Sequence, residues 1–324
     1  MAAGGPPVLV VTRLDDATAD EVVAELNRRR VPVIRLDPGD FPATVTAAAV
    51  YDSLGPGGTL TTETRALDLD SVRSVYWRRP TPYTADLAMS EQTARWAVEE
   101  ARYGLGGILA ALPGARYLNH PWRNRDAEYK PAQLATAARC GLAVPPTLIT
   151  NDPDEARTFA AEHGPVLYKP LRETDYADAH GRALTVWIDD VAPAQIDDRI
   201  RHTAHLFQQR VSKIADIRLT AVGEHLIAVR IDGSPGVDWR RHYDQLTYTP
   251  IPVPPDIVKG VRAYLDAFGL VFGAFDFGLD LHGLWHWYEC NPNGQWAWFP
   301  DHITAPITTA LADQLQQLQH GGHA

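Results

Sequence analysis

Apolar and polar positions along this chain follow two periods, and the changes of period mark its elements. "VLVVTR" (8–13) is a short β-branched run, and "DDATADEVVAELNRRR" after it places apolar residues at helical spacing. "VPVIRLD" (31–37) is a second β-branched run. Strand, helix, strand is a βαβ unit, which predicts an N-terminal α/β domain with a parallel sheet. "TVTAAAVYDSLGPGGTLTTETRALDLD" predicts strands around a Gly-Pro turn, and "SVRSVYWRRP" a strand stopped by proline. Ser90 is the expected N-cap of one long helix, "EQTARWAVEEARYGLGGILAAL", ending near Pro113-Gly114.

A second segment opens at "YLNHPWRNRDAEYKPAQLATAARCG", with a helix expected from Lys130 to Cys140 and a stop at Gly141. "VPPTLIT" enters a strand, "GPVLYKPL" (164–171) is a strand carrying Lys169, and polar "RETDYADAHGRA" separates it from a further strand, "LTVWI". The third segment begins near "HLFQQRV" and continues through strands "DIRLTAVG" and "HLIAVRID". A helix is expected over 255–268, and "VFGAFDFGLDLHGLWHWYECNPNGQW" closes the core. The boundaries are therefore expected at 1–117, 118–205 and 206–324.

Length and composition narrow the class without deciding it. A chain of 324 residues suits two or three domains, and 45% hydrophobic with 22% charged residues is ordinary for a soluble globular protein. The formal net charge of -10 argues against a general nucleic-acid-binding surface, although a local basic pocket remains compatible with it. Two cysteines, Cys140 and Cys290, lack metal-site spacing and fit a reducing cytosol. "MAAGGPPVLVV" has no basic n-region, and no apolar run is long enough to span a bilayer, so a cytoplasmic protein without a membrane partner is expected.

The chemistry concentrates near the C-terminus. In "AFDFGLD" alternation puts Asp276, Gly278 and Asp280 on one face; in "LWHWYEC" and the residue after it, Trp285, Trp287, Glu289 and Asn291 share a face. If His282-Gly283 is a two-residue hairpin loop, Asp276 lies directly across from Glu289. Opposed carboxylates destabilise a sheet. The pair either belongs to a solvated face or brackets a hard cation such as Mg²⁺, with Asn291 adding a neutral oxygen. Two other signals carry less. Asp276-Phe277-Gly278 spells a kinase metal-binding tripeptide without the rest of the kinase set, and Gly104, Gly106 and Gly107 lie inside a helical pattern.

Lys130, Lys169, "FQQRV" (207–211), "DIR" (216–218), Asp276 and "ECN" (289–291), in that order and spacing, resemble the ATP-grasp superfamily. "VDWRRHYDQLTY" and "ECNPNGQWAWF" are most similar to the ATP-grasp ribosomal peptide maturases, the macrocyclases of microviridin-like peptides or graspetides. The resemblance implies an ATP-grasp fold: an N-terminal α/β domain, a central domain and a C-terminal mixed-sheet domain, α/β in class and α+β overall. It implies ATP and Mg²⁺ as cofactors. Lys130 and Lys169 would contact the nucleotide phosphates, and main-chain groups around Gln209 and Val211 the adenine. Relatives often have Glu at the position of Gln209 and an aromatic residue at that of Arg210. Asp276, Glu289 and Asn291 would hold Mg²⁺, and Arg218 would face the γ-phosphate or acyl-phosphate. The loop after Lys169, with the single glycine Gly181, lies where a phosphate lid would be.

The implied reaction is activation of Asp or Glu side-chain carboxylates of a precursor peptide as acyl-phosphates. A Thr or Ser hydroxyl or a Lys amine then attacks, giving an ester or amide cross-link. Arginines suit an acidic core peptide. Arg240 is the favoured substrate-side residue, Arg172 a further one, and Asp238 and His242 are placed to orient Arg240 or assist proton removal. Arg78, Arg79 and Arg241 read equally well as substrate contacts or as side chains that are merely solvated or paired with acidic residues. The partner implied is a precursor with a leader and an acidic, hydroxyl-rich core, and the family suggests a homodimer. Two alternatives compete: a RimK-like carboxylate–amine ligase acting on free amino acids or a protein terminus, and a nucleotide-binding scaffold without turnover. The retained lysines and Asp-Glu-Asn set argue against the scaffold.

Overall fold

The computed structural model describes residues 5–53, 55–172, 176–177, 180, 182–234, 236–241 and 243–317. The first sheet has the order β2-β1-β6-β7, from β1 (Val8–Val11), β2 (Val33–Leu36), β6 (Ser74–Trp77) and β7 (Arg116–Leu118). All its pairs are parallel. β1 is buried along its whole length, as an interior parallel strand must be. Val8 and Val10 face one core, beside Ala19, Val22 and Leu26 of α1 (Ala17–Arg28). Leu9 and Val11 face another, beside Leu105 and Leu109 of α2 (Glu91–Ala110). Asp16 caps α1 by accepting from the Ala19 N–H, and Ser90 caps α2 by accepting from Thr93. β3 (Thr46–Asp52), β4 (Gly55–Thr61) and β5 (Ala66–Asp68) form a small antiparallel sheet. Gly55 and Pro56, expected in the turn, open β4 instead.

Two short helices follow, α3 (Pro121–Ala127) and α4 (Lys130–Arg139). The second sheet is antiparallel, in the order β12-β9-β13-β8, from β8 (Thr147–Thr150), β9 (Val166–Lys169), β12 (Asp189–Val191) and β13 (His205–Gln209). Ala156 and Ala160 of α5 (Pro153–His163) pack on Val166 and Phe207. After Lys169 the chain makes a two-stranded ribbon, β10 (Tyr176–Ala177) with β11 (Ala183–Leu184). Of the expected strand "LTVWI" only Leu184 is in a ladder. Gly181 lies outside the described residues.

The third sheet carries the site. Its order is β16-β15-β14-β17-β18, from β14 (Lys213–Val222), β15 (His225–Asp232), β16 (Thr247–Ile251), β17 (Phe272–Asp280) and β18 (Trp285–Asn291). All pairs between these strands are antiparallel, and the mixed character expected of the sheet reduces to one isolated parallel bridge, Ala143 with His286. One face buries Ile217, Leu219, Phe275, Phe277, Trp285 and Trp287 against Val261, Tyr264 and Leu265 of α6 (Pro255–Phe268). Each such side chain contributes about 1.5–3 kcal/mol of burial. On the other face Val222, Val229, Phe272 and Ala274 meet α7 (Asp301–Gln316) and α1, while Asp216, Arg218, Thr220 and Asp276 give the same face of β14 and β17 its polar part.

The hairpin of β17 and β18 differs from the expectation in an instructive way. Asp280 and Leu284 close it, so the loop is three residues long. Leu279 pairs with Trp285 and Phe277 with Trp287, a register one residue away from that of a two-residue loop. A bulge at Tyr288 then adds the missing residue, and Asp276 does lie opposite Glu289. The same bulge reverses the facing of β18. Trp285 and Trp287 enter the α6 core together with Cys290, so they do not share a face with Glu289 and Asn291 as plain alternation predicts.

Candidate active site

Three strands set a row of charge across the polar face. Arg218 of β14 is opposite Asp276 of β17, which is opposite Glu289 of β18; the next row is Thr220, Ala274 and Asn291. Arg218 Nη1 donates to Asp276 Oδ2 at 2.8 Å and Nη2 to the Gln295 carbonyl at 3.1 Å. Asp276 Oδ1, Arg218 Nε and Thr220 Oγ1 are buried without a hydrogen-bond partner. Orphaned polar atoms are costly, so three of them on one face mark a place built for something else.

Lys130 Nζ, at the start of α4, donates to Glu289. The helix is pinned there by Gln133, one turn on. Its amide accepts from the Cys290 N–H at 3.1 Å and donates to the Cys290 carbonyl at 2.9 Å, completing the free edge of β18. The Lys130 ammonium, outweighing burial, holds the Glu289 carboxyl far below the usual carboxylate range, and Arg240 and Lys169 act in the same direction. Lys169, at the end of β9, is buried; it donates to Gln208 Oε1 at 2.7 Å and lies 4.6 Å from the centroid of the Tyr288 ring. Burial pulls its ammonium down to about 8, with Glu289 and Asp276 opposing and Lys130 and Arg240 adding to the shift.

Arg240 is held by buried Asp238, which accepts from its Nε and its main-chain N–H, both at 3.1 Å, and its Nη2 lies 4.0 Å from Glu289 Oε1. Asp238 thus orients Arg240 toward the site. Arg172 is exposed, just past β9, where its charge opposes the burial that raises the Glu128 pKa. Gln209 ends β13, and Val211 lies two residues beyond it. The Gln209 N–H donates to the Pro146 carbonyl at 2.9 Å and the Val211 carbonyl accepts from Lys213 at 2.9 Å, so these particular groups are already engaged. His242 lies outside the described residues. Arg241 reaches the segment just before β12, over the Trp187 ring and to the Ile188 carbonyl at 3.3 Å. Arg78 is only 2% exposed and paired with Asp16, so it does not meet a substrate.

Several participants carry no obvious sequence signal. Gln208, Tyr288 and Gln133 are uncharged and look like ordinary strand or helix residues until their neighbours are known. Lys213 and Asp216 form another buried pair: Lys213 Nζ donates to both carboxylate oxygens, at 2.6 and 2.7 Å, and to the Val237 carbonyl at 2.9 Å. Burial nonetheless pushes Asp216 up to about 6.

The donor set fits a magnesium ion that takes its remaining ligands from phosphate and water. Among the described residues no three His, Cys, Asp or Glu side chains converge on a metal position. Two carboxylates, one with an orphaned oxygen, and the Asn291 amide are what this hard ion requires from a protein when a nucleotide supplies the rest. Lys130, Lys169, Arg218 and Arg240 outnumber the Asp276 and Glu289 carboxylates they surround, which suits a polyanion.

The family model of the MvdD pre-ATP grasp domain matches residues 7–125. Among solved structures, the RiPP-associated ATP-grasp ligase of Chryseobacterium gregarium, in complex with ADP and a leader and core peptide, superposes with a TM-score of 0.86 at 24% identity, covering 95% of this chain and 96% of that one. Macrocyclase MdnC of Microcystis aeruginosa, bound with precursor peptide MdnA, gives 0.84 at 25% identity over 95% and 99%. Macrocyclase MdnB of the same organism gives 0.80 at 26% over 95% and 98%. A search of the curated proteins finds no match. The fold and the site define an ATP-grasp ligase. Within that class the chain is similar to ATP-grasp ribosomal peptide maturases, the graspetide macrocyclases, over 95% of its length in fold and over residues 7–125 in the family model.

Proposed function

We propose that the protein is an ATP-dependent macrocyclase of a ribosomally made precursor peptide, using Mg²⁺. The observation that carries this is the row Arg218–Asp276–Glu289, with Lys130, Lys169 and Arg240 around it, on the open face of an ATP-grasp sheet. A carboxylate is a poor electrophile until its oxygen becomes part of a better leaving group. Transfer of the ATP γ-phosphoryl group to a peptide Asp or Glu makes a mixed anhydride. Attack by a Thr or Ser hydroxyl, or a Lys amine, then expels phosphate and leaves an ester or amide.

The protein's part is positioning and charge compensation. Lys130 and Lys169 bind phosphate oxygens from two sides, and Arg218 stabilises charge on the transferred group. Asp276, Glu289 and Asn291 would hold Mg²⁺, which supplies Lewis-acid neutralisation of the phosphates. Arg240, steered by Asp238, would exchange its long contact with Glu289 for an acidic side chain of the core peptide. The three segments 1–117, 118–205 and 206–324 then serve as N-terminal, central and C-terminal domains around one cleft.

The setting follows from the same reading. Cys140 and Cys290 are free thiols, and no helix among the described residues is long and apolar enough to cross a membrane, which supports a cytoplasmic enzyme. Trp96 and Tyr103, exposed two turns apart on α2, support a homodimer, and sedimentation velocity reads that state directly.

Intact-mass spectrometry tests the reaction. Incubation with ATP, Mg²⁺ and a precursor peptide encoded nearby should remove one water mass per bond formed. Glu289→Gln should slow this about 10²–10³-fold, the usual cost of removing one preorganised charged group. ATP consumption with free amino acids and no change in peptide mass would make the protein a free-amino-acid ligase instead.

A further inference from the structure

We propose that the N-terminal domain is part of the metal site's machinery: Arg78, held by Asp16, positions Asn291 through the main chain of Asn293–Gln295. This rests on Asn291 serving the metal, as read above. It also gives "PNGQW" (292–296), which no step of the chemistry uses, a physical role.

A buried guanidinium is costly unless its donors are satisfied. Arg78, at the end of β6, spends Nε and Nη2 on the Asp16 carboxylate, at 3.3 and 3.4 Å, and Thr12 Oγ1 donates to the same carboxylate at 2.7 Å. Its Nη1 points away from that pair, across to the C-terminal domain, and donates to the carbonyls of Asn293 and Gly294 at 3.2 and 3.3 Å. Asn293 Nδ2 returns a bond to the Arg78 carbonyl at 2.9 Å, and Thr18 Oγ1, from the first turn of α1, donates to the Gln295 side chain at 3.1 Å.

The inner side of the same loop ends on the site. The Asn293 N–H donates to Asn291 Oδ1 at 2.9 Å, and the Gln295 carbonyl accepts from Arg218 Nη2. Gly294 is pressed between the two sides: a Cβ there would lie 2.3 Å from Ala274 Cβ and 2.7 Å from Arg218 Nη2. A shift of this loop must therefore move the Asn291 amide, Arg218, or both. Arg78 and Asn293 act as positioning residues, touching neither the metal nor the substrate. A planar fork can grip two carbonyls and a carboxylate at once, which a lysine cannot do.

The test reads metal binding without turnover. Mn²⁺ is titrated against the full-length protein with a non-hydrolysable ATP analogue present, and free Mn²⁺ is followed by EPR, with thermal unfolding of each variant alongside. Asn291→Ala should weaken Mn²⁺ binding about tenfold, and Asn293→Ala and Arg78→Lys should do likewise, as outer-shell partners of metal ligands do. Asn293→Ala in the Asn291→Ala background should add little, because both act through one amide. A lowered unfolding midpoint with unchanged Mn²⁺ affinity in Asn293→Ala and Arg78→Lys would reduce the clamp to simple packing and overturn the proposal. Full additivity in the double variant would also overturn it. Unchanged affinity in Asn291→Ala itself would instead remove the metal role of Asn291, and the clamp's purpose with it.

Discussion

Lys169 shows how much a single side chain's surroundings matter. Its ammonium is buried, with two opposed carboxylates and two other cations close enough to act on it, and burial holds it at about 8 where a free lysine has 10.5. Between those values the unfolded chain binds more protons than the folded one. The penalty of burying the charge is therefore complete below about pH 8 and is relieved as pH rises toward 10.5. A bound triphosphate reverses the preference by favouring the charged form. ADP binding near pH 8.5, on the order of the half-titrated range, should take up a proton, and affinity should fall as pH rises through 8. Calorimetry in two buffers of different ionisation enthalpy measures the uptake. Lys169→Met should abolish it and weaken ADP binding about tenfold, whereas undiminished uptake would assign the proton to another group. The lysine itself was legible in "GPVLYKPL", but its partners Gln208 and Tyr288 were not, since neither residue type advertises a site.

At the scale of elements, one extra residue in β18 decides the site. Alternation correctly places the apolar residues of β17, but in β18 it assigns Trp285 and Trp287 to the wrong face. A bulge leaves no trace in a hydrophobic pattern when both sides of it are aromatic. The expected opposition of Asp276 and Glu289 held because the longer loop and the bulge displace the register by one residue each, in opposite senses. Gly278 is where this geometry is tightest: a Cβ there would lie 2.1 Å from the Tyr288 hydroxyl. Gly278→Ala should cost about 1–3 kcal/mol in urea unfolding by overpacking. Tyr288→Phe in the same chain should recover part of that loss, and no recovery would mean that the strain lies in the backbone.

For the whole molecule, α7 is the element that the sequence concealed. "DHITAPITTALADQLQ" carries Pro306 in its second turn and threonines on both sides, so it does not read as a helix. It forms because its apolar residues are buried by partners distant in sequence. Ile303, Ile307, Leu311 and Leu315 share one core with Val8 and Val10 of β1, Leu26 of α1 and Phe272 of β17. Arg29 joins it to α1 through Asp313 at 2.6 Å, and Ser74 donates to the Leu315 carbonyl at 2.7 Å. The N-terminal and C-terminal sheets should therefore lose structure in one transition. Leu311→Ala should lower the stability of that transition by about 2–5 kcal/mol, read by denaturant melts with probes in both sheets. Separate midpoints would show that the shared core does not couple them.

What the sequence determined by itself were the local and periodic features: βαβ order, capped helices, the strand bearing Lys169, and the acid and amide residues of "ECN". Each depends on neighbours within a few residues, where propensity and alternation act. Only the tertiary structure decided which polar side chains meet. Lys130 reaches Glu289 because Gln133 fastens α4 to the edge of β18, Arg218 joins Asp276 because two antiparallel registers coincide, and Arg78 turns inward because Asp16 is there to neutralise it. These contacts span tens to hundreds of residues. Their energies come from burial and charge compensation that exist only once the chain is packed.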